Sequence, residues 1–335
     1  MVKQSQQGDN NMKNDLVYIK RYARLKTDII KDSIKLYHYI SLCSREILNG
    51  KNFTEVSAPI IGPVTDPGIR GAKRVHFSYY GHDYKIMSSM ILYKQAYTLA
   101  YERIYAFSPN IRLENISARE TGRHLCEFYQ LDLEVKKATI EDVMDIFENY
   151  FVNLLKQLFT YCGEIFEKNE RNLKIPTRPF KRISYDEAVK QAERLGLEIE
   201  YGEELPWEVE KYLSSRCKDP FWIVRYPIGS RGFYYRIDPK DEKYLLSMDL
   251  MYPEGYGEAS SGGEREIDPT KIIQMLEASG EEVKEYRWYL DMLSSYDVSS
   301  SGLGIGIERL IRYLLGKERI DEVVPFPKLP GVFCI

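Results

Sequence analysis

The chain has 335 residues, of which 44% are hydrophobic and 29% charged, and its formal net charge is −3. These values are typical of globular proteins and argue against long-range disorder or a fibrous repeat. The near-balance of charge also argues against a protein built mainly to coat nucleic acid or an anionic membrane. No apolar run approaches the roughly 20 residues of a membrane span, and five scattered cysteines without CxxC spacing disfavour a disulfide scaffold or a zinc site. We therefore expect a cytoplasmic protein.

The first half of the chain begins with a polar segment, residues 1–21, which predicts a disordered tail and no secretory signal. Hydrophobic periodicity and turn residues then predict the elements that follow. In chain order they are a helix over about 24–48 that stops at Asn49-Gly50, a strand over 53–61 that ends at Pro59, a mobile loop over 61–82, a helix over 88–107, and strands around 110–114 and 128–135.

The second half opens with Thr139-x-x-Asp142, a capping pattern that predicts the start of a long helix. Residues 172–235 are charged, aromatic and irregular, and predict an insertion module within the domain. The other predicted elements are a helix from Ser184 to near Gly196, strands over 221–227, 232–238 and 244–252, a helix from Asp268-Pro269 interrupted at Gly280, a helix over 288–293, and a Gly-rich strand from 302 that bends into a helix ending at Gly316.

Strands outnumber simple βαβ units, and neither GxGxxG nor GxxxxGK[ST] occurs, which disfavours a Rossmann or P-loop nucleotide site. The expected fold class is α+β, with an antiparallel β-sheet flanked by helices.

Candidate functional residues are arginines that occur beside carboxylates in strand and loop contexts. Taken singly, each has a simpler interpretation: an arginine beside acidic residues is most often a surface or interface ion pair, Phe128 a core residue and Asp249 a turn residue. The candidates are Arg112 and Glu114, predicted to share one face of a strand, then Arg123, His124, Phe128, Asp132, Glu134, Asp249, Glu258, Arg265 and Arg309.

Taken together, these segments resemble the catalytic core of class II aminoacyl-tRNA synthetases, specifically the aspartyl/asparaginyl subgroup. FTEVSAPII is similar to motif 1, NIRLE…TGRHLCEFYQLDLE to motif 2 and GLGIGIERL to motif 3. SSMILYKQ, MDLMYPEGYGEASSGGERE and WYLDMLSSYDV resemble further segments of the subgroup. The similarity covers about residues 22–335, and we expect that range to form one catalytic domain of the class II synthetase fold.

The resemblance implies that ATP is a substrate, bound in a bent form together with Mg²⁺. It makes Arg112 and Arg309 the catalytic residues: Arg112 would hold the α-phosphate, and Arg309 the γ-phosphate while stacking on adenine. The other implied ATP-binding residues are Glu114, Arg123 on the γ-phosphate, His124, Phe128 on the opposite adenine face, and Glu258. Asp249 and Glu258 would bind the metal ion, which prefers oxygen ligands.

The amino-acid pocket is likewise assigned by resemblance. Lys94 and Arg265 match the subgroup's grip on an aspartate side chain, and Asp132, with Gln130 and Ser89, matches its ammonium site. Asparaginyl enzymes typically lack the lysine, because a neutral amide needs no second cation. Lys94 therefore favours aspartate as the substrate, and a buried lysine facing no anion would be costly.

The sequence departs from the subgroup in several places. Only one helix and a tail precede motif 1, so we expect no anticodon-binding domain. Met90 and Ile91 replace a Pro-Gln pair, and Ser299-Ser300-Ser301 replaces a segment that usually precedes motif 3. The motif 2 loop is about three residues longer than expected, which puts its usual contact with tRNA in question.

This combination resembles the archaeal asparagine synthetase-related proteins, which make asparagine from aspartate, ATP and ammonia with release of AMP and pyrophosphate. The leading expectation is therefore an aspartate–ammonia ligase, with no membrane partner and with tRNA either not a partner or bound independently of its anticodon. Asparagine formation requires the β-carboxylate at phosphorus, so Lys94 and Arg265 would hold the α-carboxylate, and Ile91 would permit that exchange. Two alternatives stay open: a truncated synthetase-like enzyme that transfers the activated amino acid to tRNA or another acceptor, and a non-catalytic regulatory paralogue. Motif 1 implies a homodimer.

Overall fold

The computed structural model describes residues 21–67, 72–194, 196–197 and 199–332, so the predicted tail lies outside the described residues except for Arg21. Within these ranges, no helix is both long enough and apolar enough to cross a lipid bilayer. The helices are α1 (Asp28–Asn49), α2 (Ile91–Tyr97), α3 (Ile140–Lys168), α4 (Tyr185–Glu193), α5 (Trp207–Ser215), α6 (Pro269–Ala278), α7 (Arg287–Ser295) and α8 (Ile307–Leu314).

The strands form one large and one small sheet. They are β1 (Thr54–Glu55), β2 (Ile61–Gly62), β3 (His76–Tyr79), β4 (His82–Ile86), β5 (Arg103–Ile111), β6 (Glu127–Lys136), β7 (Lys181–Ser184), β8 (Phe221–Val224), β9 (Ser247–Tyr252), β10 (Gly257–Glu264) and β11 (Ser300–Gly306). The large sheet has the order β1-β5-β6-β11-β10-β9-β8-β7. Its neighbours from β5 to β8 are antiparallel, and only the two edge pairs, β1 with β5 and β7 with β8, are parallel.

The two faces of the large sheet differ in chemistry because side chains alternate along each strand. On β6, Leu131 and Leu133 enter the main hydrophobic core, whereas Asp132 and Glu134 are buried on the opposite face. Helices α1, α3 and α8 cover the apolar face. The polar face is the one that carries the candidate functional residues.

Two predicted helix starts are confirmed by complete capping boxes. Thr139 accepts a hydrogen bond from the backbone of Asp142, and the carboxylate of Asp142 accepts one from the Thr139 backbone, at the start of α3. Ser184 and Glu187 do the same at α4. These reciprocal bonds satisfy backbone N–H groups that have no partner inside the helix.

Residues 172–235, predicted as an insertion module, contribute β7 and β8 to one edge of the large sheet. Helices α4 and α5 pack on these strands around their own hydrophobic cluster, which includes Tyr185, Val209 and Tyr226. The segment therefore has a small core of its own and also extends the sheet that carries the site. Its assignment as an insertion stays a prediction.

The predicted mobile loop over 61–82 is wrong for three stretches of the chain, because β2, β4 and β3 form a small antiparallel sheet. Tyr80 and Gly81 both have positive φ, 49° and 78°, which suits a two-residue hairpin turn between β3 and β4. All four residues of β3 are exposed, so the strand lacks the alternation that would predict it.

Four other boundaries differ from the predictions. The helix predicted over 88–107 ends at Tyr97, because its second half contains the buried aromatic and β-branched residues of β5. That strand continues only to Ile111, so Arg112 and Glu114 lie just beyond it and not on it. The strand predicted over 53–61 is reduced to β1 before the chain moves to the small sheet, and 232–238 makes only isolated bridges.

Candidate active site

The register of the large sheet places polar side chains from four strands in one row. Asp132 on β6 lies opposite Gly304 on β11, Gly304 lies opposite Ser261 on β10, and Ser261 lies opposite Asp249 on β9. Because residues in one such row share a face, the row forms the floor of a site on the polar side of the sheet.

A cavity of about 240 Å³ stands above this floor. Eleven of the predicted site residues line it, drawn from segments far apart in the chain. They are Ser89, Lys94, Arg112, Glu114, Arg123, His124, Gln130, Asp132, Glu258, Arg265 and Arg309. We call this space the first cavity.

At one end of the first cavity, Lys94 is 2% exposed and carries a buried positive charge. Its Nζ lies 2.9 Å from Asp132 Oδ1 and donates a further hydrogen bond of 3.2 Å to the Leu303 carbonyl oxygen. Ser108 donates to the other oxygen of Asp132. The pairing satisfies the condition that a buried charge needs a partner, and it shows that Asp132, predicted to bind an ammonium group, also orients Lys94.

Arg265 lies beside this pair and is held by Glu134. Its Nε and Nη2 donate to the two Glu134 oxygens at 2.9 and 2.8 Å, and Ser300 donates to the same carboxylate at 2.7 Å. Arg265 Nη1 is buried without a hydrogen-bond partner. A buried donor left unpaired is costly, and this nitrogen can donate a hydrogen bond to a carboxylate oxygen of a ligand in the cavity without giving up Glu134.

The glycines of β11 explain how these carboxylates fit. A Cβ at Gly302 would stand 2.1 Å from Glu134 Oε2, and a Cβ at Gly304 would stand 2.9 Å from Asp132 Oδ1. Any side chain at either position would displace the buried acids that hold Arg265 and Lys94. The Gly-rich spacing of β11 therefore makes room for the ion pairs on the neighbouring strand.

Arg123, predicted to hold a phosphate, is bound by an acid that the sequence did not single out. Both Glu210 oxygens accept hydrogen bonds from the Arg123 guanidinium, one of them at 3.1 Å, and Glu210 also accepts the Glu258 backbone N–H at 3.1 Å. The guanidinium carbon lies 4.8 Å from the ring centroid of Trp207. Trp207 and Glu210 both belong to α5. Residues 172–235 form one wall of the first cavity, through Glu204, Leu205 and Arg231 among others.

Glu258 is surrounded by positive charge. Its Oε2 lies 3.2 Å from Arg309 Nη1 and 4.0 Å from Arg123 Nη1. Burial by itself would raise the pKa of Glu258, but Arg309, Arg123 and Arg231 outweigh burial and lower that pKa to about 2. The carboxylate is therefore ionised at neutral pH.

Asp249, the other predicted metal ligand, does not line the first cavity and is paired with Arg231. Arg231 does line the cavity; it donates to Asp249 and, at 3.0 Å, to Ser261 Oγ. Asp249 Oδ1 is buried without a hydrogen-bond partner.

No group of three or more metal-ligating side chains occurs in the described ranges. Both predicted ligands, Asp249 and Glu258, face arginines. Carboxylates are a suitable donor type for Mg²⁺, which takes few of them and otherwise binds water and phosphate oxygens, and the metal role of this pair stays a prediction.

A smaller pocket continues from the first cavity and supplies an apolar surface. Phe128, Ala259 and Ile320 line it together with Arg309. The Arg112 guanidinium carbon lies 5.1 Å from the Phe128 ring centroid, and Arg112 Nε donates to the Ser88 carbonyl oxygen at 3.0 Å. The roles of Phe128 and Arg309 on the two faces of adenine stay predictions, and both side chains line this pocket.

His124 is held as a neutral imidazole. Thr121 gives its single hydroxyl proton to the Ala118 carbonyl oxygen, so it accepts a 2.7 Å bond from His124 Nδ1. Burial and, to a smaller extent, Arg309 and Arg123 lower the pKa of His124 to about 3. It therefore adds no charge to the site above that pH.

Burial raises the pKa of Glu114, although Arg112 opposes the shift. Ser89 accepts a hydrogen bond from the Ile91 backbone N–H at 3.2 Å, and Gln130 lines both the first cavity and the smaller pocket. The ligand roles assigned to these side chains stay predictions.

The sequence missed three residues of this site: Glu210, Arg231 and Ser261. Glu134 is among the predicted candidates because it shares a strand face with Asp132, but the resemblance assigns it no role. Ser261 stands in the SSGGE run before Arg265 and so carried a signal. Glu210 and Arg231 lie in the irregular stretch 172–235, where no periodicity pointed to the cavity.

The fold and the cavity agree with the matching protein family. The family described as tRNA synthetases class II (D, K and N) matches residues 13–330. The chain therefore belongs to the class II tRNA synthetases of the D, K and N type. The resemblance inferred from its motifs, and the expected α+β fold, are confirmed.

Among curated proteins, the chain is similar to asparagine–tRNA ligases. That of Thermococcus gammatolerans is 32% identical over 314 residues, which is 93% of this chain and 72% of the relative. That of Pyrococcus abyssi is 31% identical over 320 residues, or 95% and 73%. Among solved structures, asparaginyl-tRNA synthetase from Pyrococcus horikoshii complexed with asparaginyl-adenylate has a TM-score of 0.84 and 29% identity, over 94% of this chain and 72% of that one.

Proposed function

We propose that the protein uses ATP to activate aspartate as an aspartyl-adenylate. The observation that carries this proposal is the end of the first cavity, where Arg265 Nη1 is buried without a partner beside the buried cation Lys94. A carboxylate in this position would satisfy the free donor and interact with both cations. A neutral amide would gain less from Lys94 because it carries no charge.

The remaining residues support binding of the triphosphate. Arg112, Arg123 and Arg309 line the same cavity, and they would neutralise the negative charge that develops as a carboxylate oxygen attacks the α-phosphorus and pyrophosphate leaves. Glu258 and Asp249 would hold Mg²⁺, which supplies charge neutralisation between phosphates when bound. The protein's own part is to position the two substrates, with no covalent enzyme intermediate.

Two acceptors are candidates for the second step. The relatives are named as asparagine–tRNA ligases, which favours transfer of the activated amino acid to tRNA. Lys94 favours ammonia as the acceptor instead. It favours aspartate as the substrate, although the chain otherwise resembles asparagine–tRNA ligases, and amidation of activated aspartate by ammonia would yield asparagine. Ammonia would attack the β-carbonyl carbon of a β-aspartyl-adenylate, a C–N bond would form, and AMP would leave as the C–O bond breaks.

Attack by ammonia requires the β-carboxylate at phosphorus, so that Lys94 and Arg265 bind the α-carboxylate. Transfer to tRNA requires the opposite orientation. Aspartate–ammonia ligase activity, the leading expectation from the sequence, is thus the second candidate here.

We infer a homodimer from the surface of the motif 1 region. Ile34 and Leu42 on α1 are 45% and 48% exposed, and Ile60 is 57% exposed. Exposed large apolar side chains in the region that the resemblance assigns to the dimer interface are consistent with burial against a second copy. Sedimentation analysis should give twice the mass of the chain; a monomer at micromolar concentration would contradict this inference.

Product analysis tests the proposed function. The purified protein is incubated with ATP, Mg²⁺ and aspartate, in one reaction with ammonium and in another with unfractionated tRNA. AMP with free asparagine identifies ammonia as the acceptor, whereas AMP with aspartyl-tRNA identifies tRNA. Arg309→Met and Arg112→Met should abolish both, whereas the exposed control Arg287→Met should not. AMP formation independent of any amino acid, or none at all, would contradict the proposal.

A further inference from the structure

A second cavity, of about 370 Å³, is lined in part by Trp207, whose ring centroid lies 4.8 Å from the Arg123 guanidinium carbon. It is bounded by residues 120–122 of the motif 2 loop, by Lys211 on α5 and by Tyr256 in the β9–β10 turn. Arg312, near the end of α8, also lines it. No residue of this cavity has a role in the activation of aspartate proposed above.

Arg312 is the unusual member of this lining. It is only 4% exposed, and in the described ranges its only hydrogen bond runs from Nε to the Glu318 carbonyl oxygen, at 3.0 Å. Its guanidinium carbon lies 5.9 Å from the Trp207 centroid and 5.1 Å from that of Tyr256. The guanidinium is therefore fixed between two aromatic rings, with its terminal nitrogens unpaired.

No carboxylate balances this charge among the described residues. Of the acids on the cavity wall, Glu254 is paired with Arg171 at 2.6 Å, and Glu120 and Glu318 are exposed to solvent. Lys211, on the same wall, forms no ion pair in the described ranges. The cavity thus carries two cations without partners, one of them buried.

Electrostatics agrees with this arrangement. Burial, followed by repulsion from Arg309, lowers the pKa of Arg312 to about 10. A buried guanidinium without a counter-charge is costly, and an anion that entered the cavity would relieve that cost.

We propose that the second cavity binds inorganic pyrophosphate. A guanidinium fork suits the paired oxygens of a phosphate group, Lys211 could meet the second group, and the space is large enough for both. The Trp207 ring lies within 6 Å of both guanidinium carbons, 4.8 Å from that of Arg123 and 5.9 Å from that of Arg312, so the cavity adjoins the part of the first cavity that Arg123 lines. The choice of pyrophosphate rests on the proposed function, which releases that anion.

Calorimetry tests this site without relying on catalysis. The protein is first saturated with the non-hydrolysable analogue α,β-methylene-ATP, so that the phosphate-binding groups of the first cavity are occupied, and pyrophosphate is then titrated in. The wild type should bind one equivalent. Arg312→Met should weaken this binding by about tenfold or more, and Arg312→Lys should weaken it less because the charge is kept.

Arg319→Met is the matched control, because Arg319 lines the same cavity but is paired with Asp321 at 3.0 Å. Its affinity for pyrophosphate should stay within about twofold of the wild type. Absence of pyrophosphate binding in the analogue-saturated wild type, or unchanged binding in Arg312→Met, would overturn the proposal. Arg312-dependent binding of a short RNA but not of pyrophosphate would also overturn it. A protein that fails to activate aspartate yet binds pyrophosphate through Arg312 would refute the proposed function alone.

Discussion

The two cavities near Trp207 hold their buried arginines in different ways. In the first cavity, Arg265 is held by both oxygens of Glu134, with one nitrogen left over. In the second, Arg312 has only a backbone carbonyl and two aromatic rings. The first cavity therefore has its cations neutralised and oriented before a ligand arrives, whereas the second lacks part of its charge balance until an anion binds.

The difference between the partners of Arg265 and Arg312 shows two ways in which a protein can hold a cation inside its core. Acids on β6 hold the cations of the first cavity in place, so that the substrate meets groups that need little rearrangement. Removal of Arg265 from the first cavity should therefore lower the free energy of unfolding strongly, whereas removal of Arg312 from the second cavity should leave it nearly unchanged. Four predictions sharpen that contrast, and the largest effect comes first.

Arg265→Met should strongly destabilise the protein, because it removes the two short ionic hydrogen bonds to the buried Glu134 carboxylate. Breaking a buried ion pair costs about 3–5 kcal/mol. The remaining cation near Glu134, Lys94, is 3.8 Å away and already paired with Asp132. Urea denaturation monitored by circular dichroism measures the loss. The double variant Arg265→Met/Glu134→Leu should recover part of the stability, and a loss below about 1 kcal/mol in the single variant would show that the pair is not needed.

Glu210→Gln should raise the KM for ATP by about tenfold, which corresponds to about 1.4 kcal/mol. The neutral amide can no longer hold the Arg123 guanidinium through two charged bonds. ATP-dependent pyrophosphate exchange measures the change. Glu208→Gln, on the exposed side of the same helix, is the control, and an unchanged KM in the Glu210 variant would mean that Arg123 needs no such support.

Arg312→Met should leave the free energy of unfolding unchanged or raise it by up to about 1 kcal/mol, since it removes a buried charge that has no partner. The loss of its stacking on Trp207 and Tyr256 offsets part of that gain. Urea denaturation in phosphate-free buffer measures the difference. A loss of more than about 2 kcal/mol would mean that Arg312 already has an intramolecular partner and that the contrast between the cavities is false.

Glu308→Gln should remove a pH dependence of stability. Burial raises the pKa of Glu308 from its ordinary value of 4.5 to about 7, so the folded state holds this proton more tightly than the unfolded state. The stability due to Glu308 is then full below about pH 4.5 and is lost as the pH rises through about 7. The Tm of the wild type should fall relative to the variant by about 1–2 °C between pH 5 and pH 8. A relative rise would contradict the assignment.

Much of the fold could be predicted because its signals are local. Both capping boxes, the Asp268 cap with Pro269 after it, and the Gly-rich strand leading into α8 occur where the sequence places them. The hairpin of β3 and β4 could not be predicted, because an exposed strand buries no face and so has no hydrophobic alternation.

The sequence predicts most of the residues that line the first cavity, but not which acid pairs with which cation. Lys94 and Arg265 were expected to face a substrate, and both line the cavity. Their partners Asp132 and Glu134 were adjacent candidates, yet only the register between β6 and β11 shows that Gly302 and Gly304 make room for them. Glu210 and Trp207 approach from a helix about 90 residues after Arg123 in the chain, and such long-range pairings leave no periodic trace in a single sequence.

The most direct measurement is ATP–pyrophosphate exchange with one amino acid at a time. Aspartate should support exchange and asparagine should not, because Lys94 adds a second cation beside Arg265. Lys94→Met should lower exchange with aspartate far more than that with any other amino acid. Exchange driven by asparagine and not by aspartate would contradict the assignment of the first cavity to a dicarboxylic amino acid.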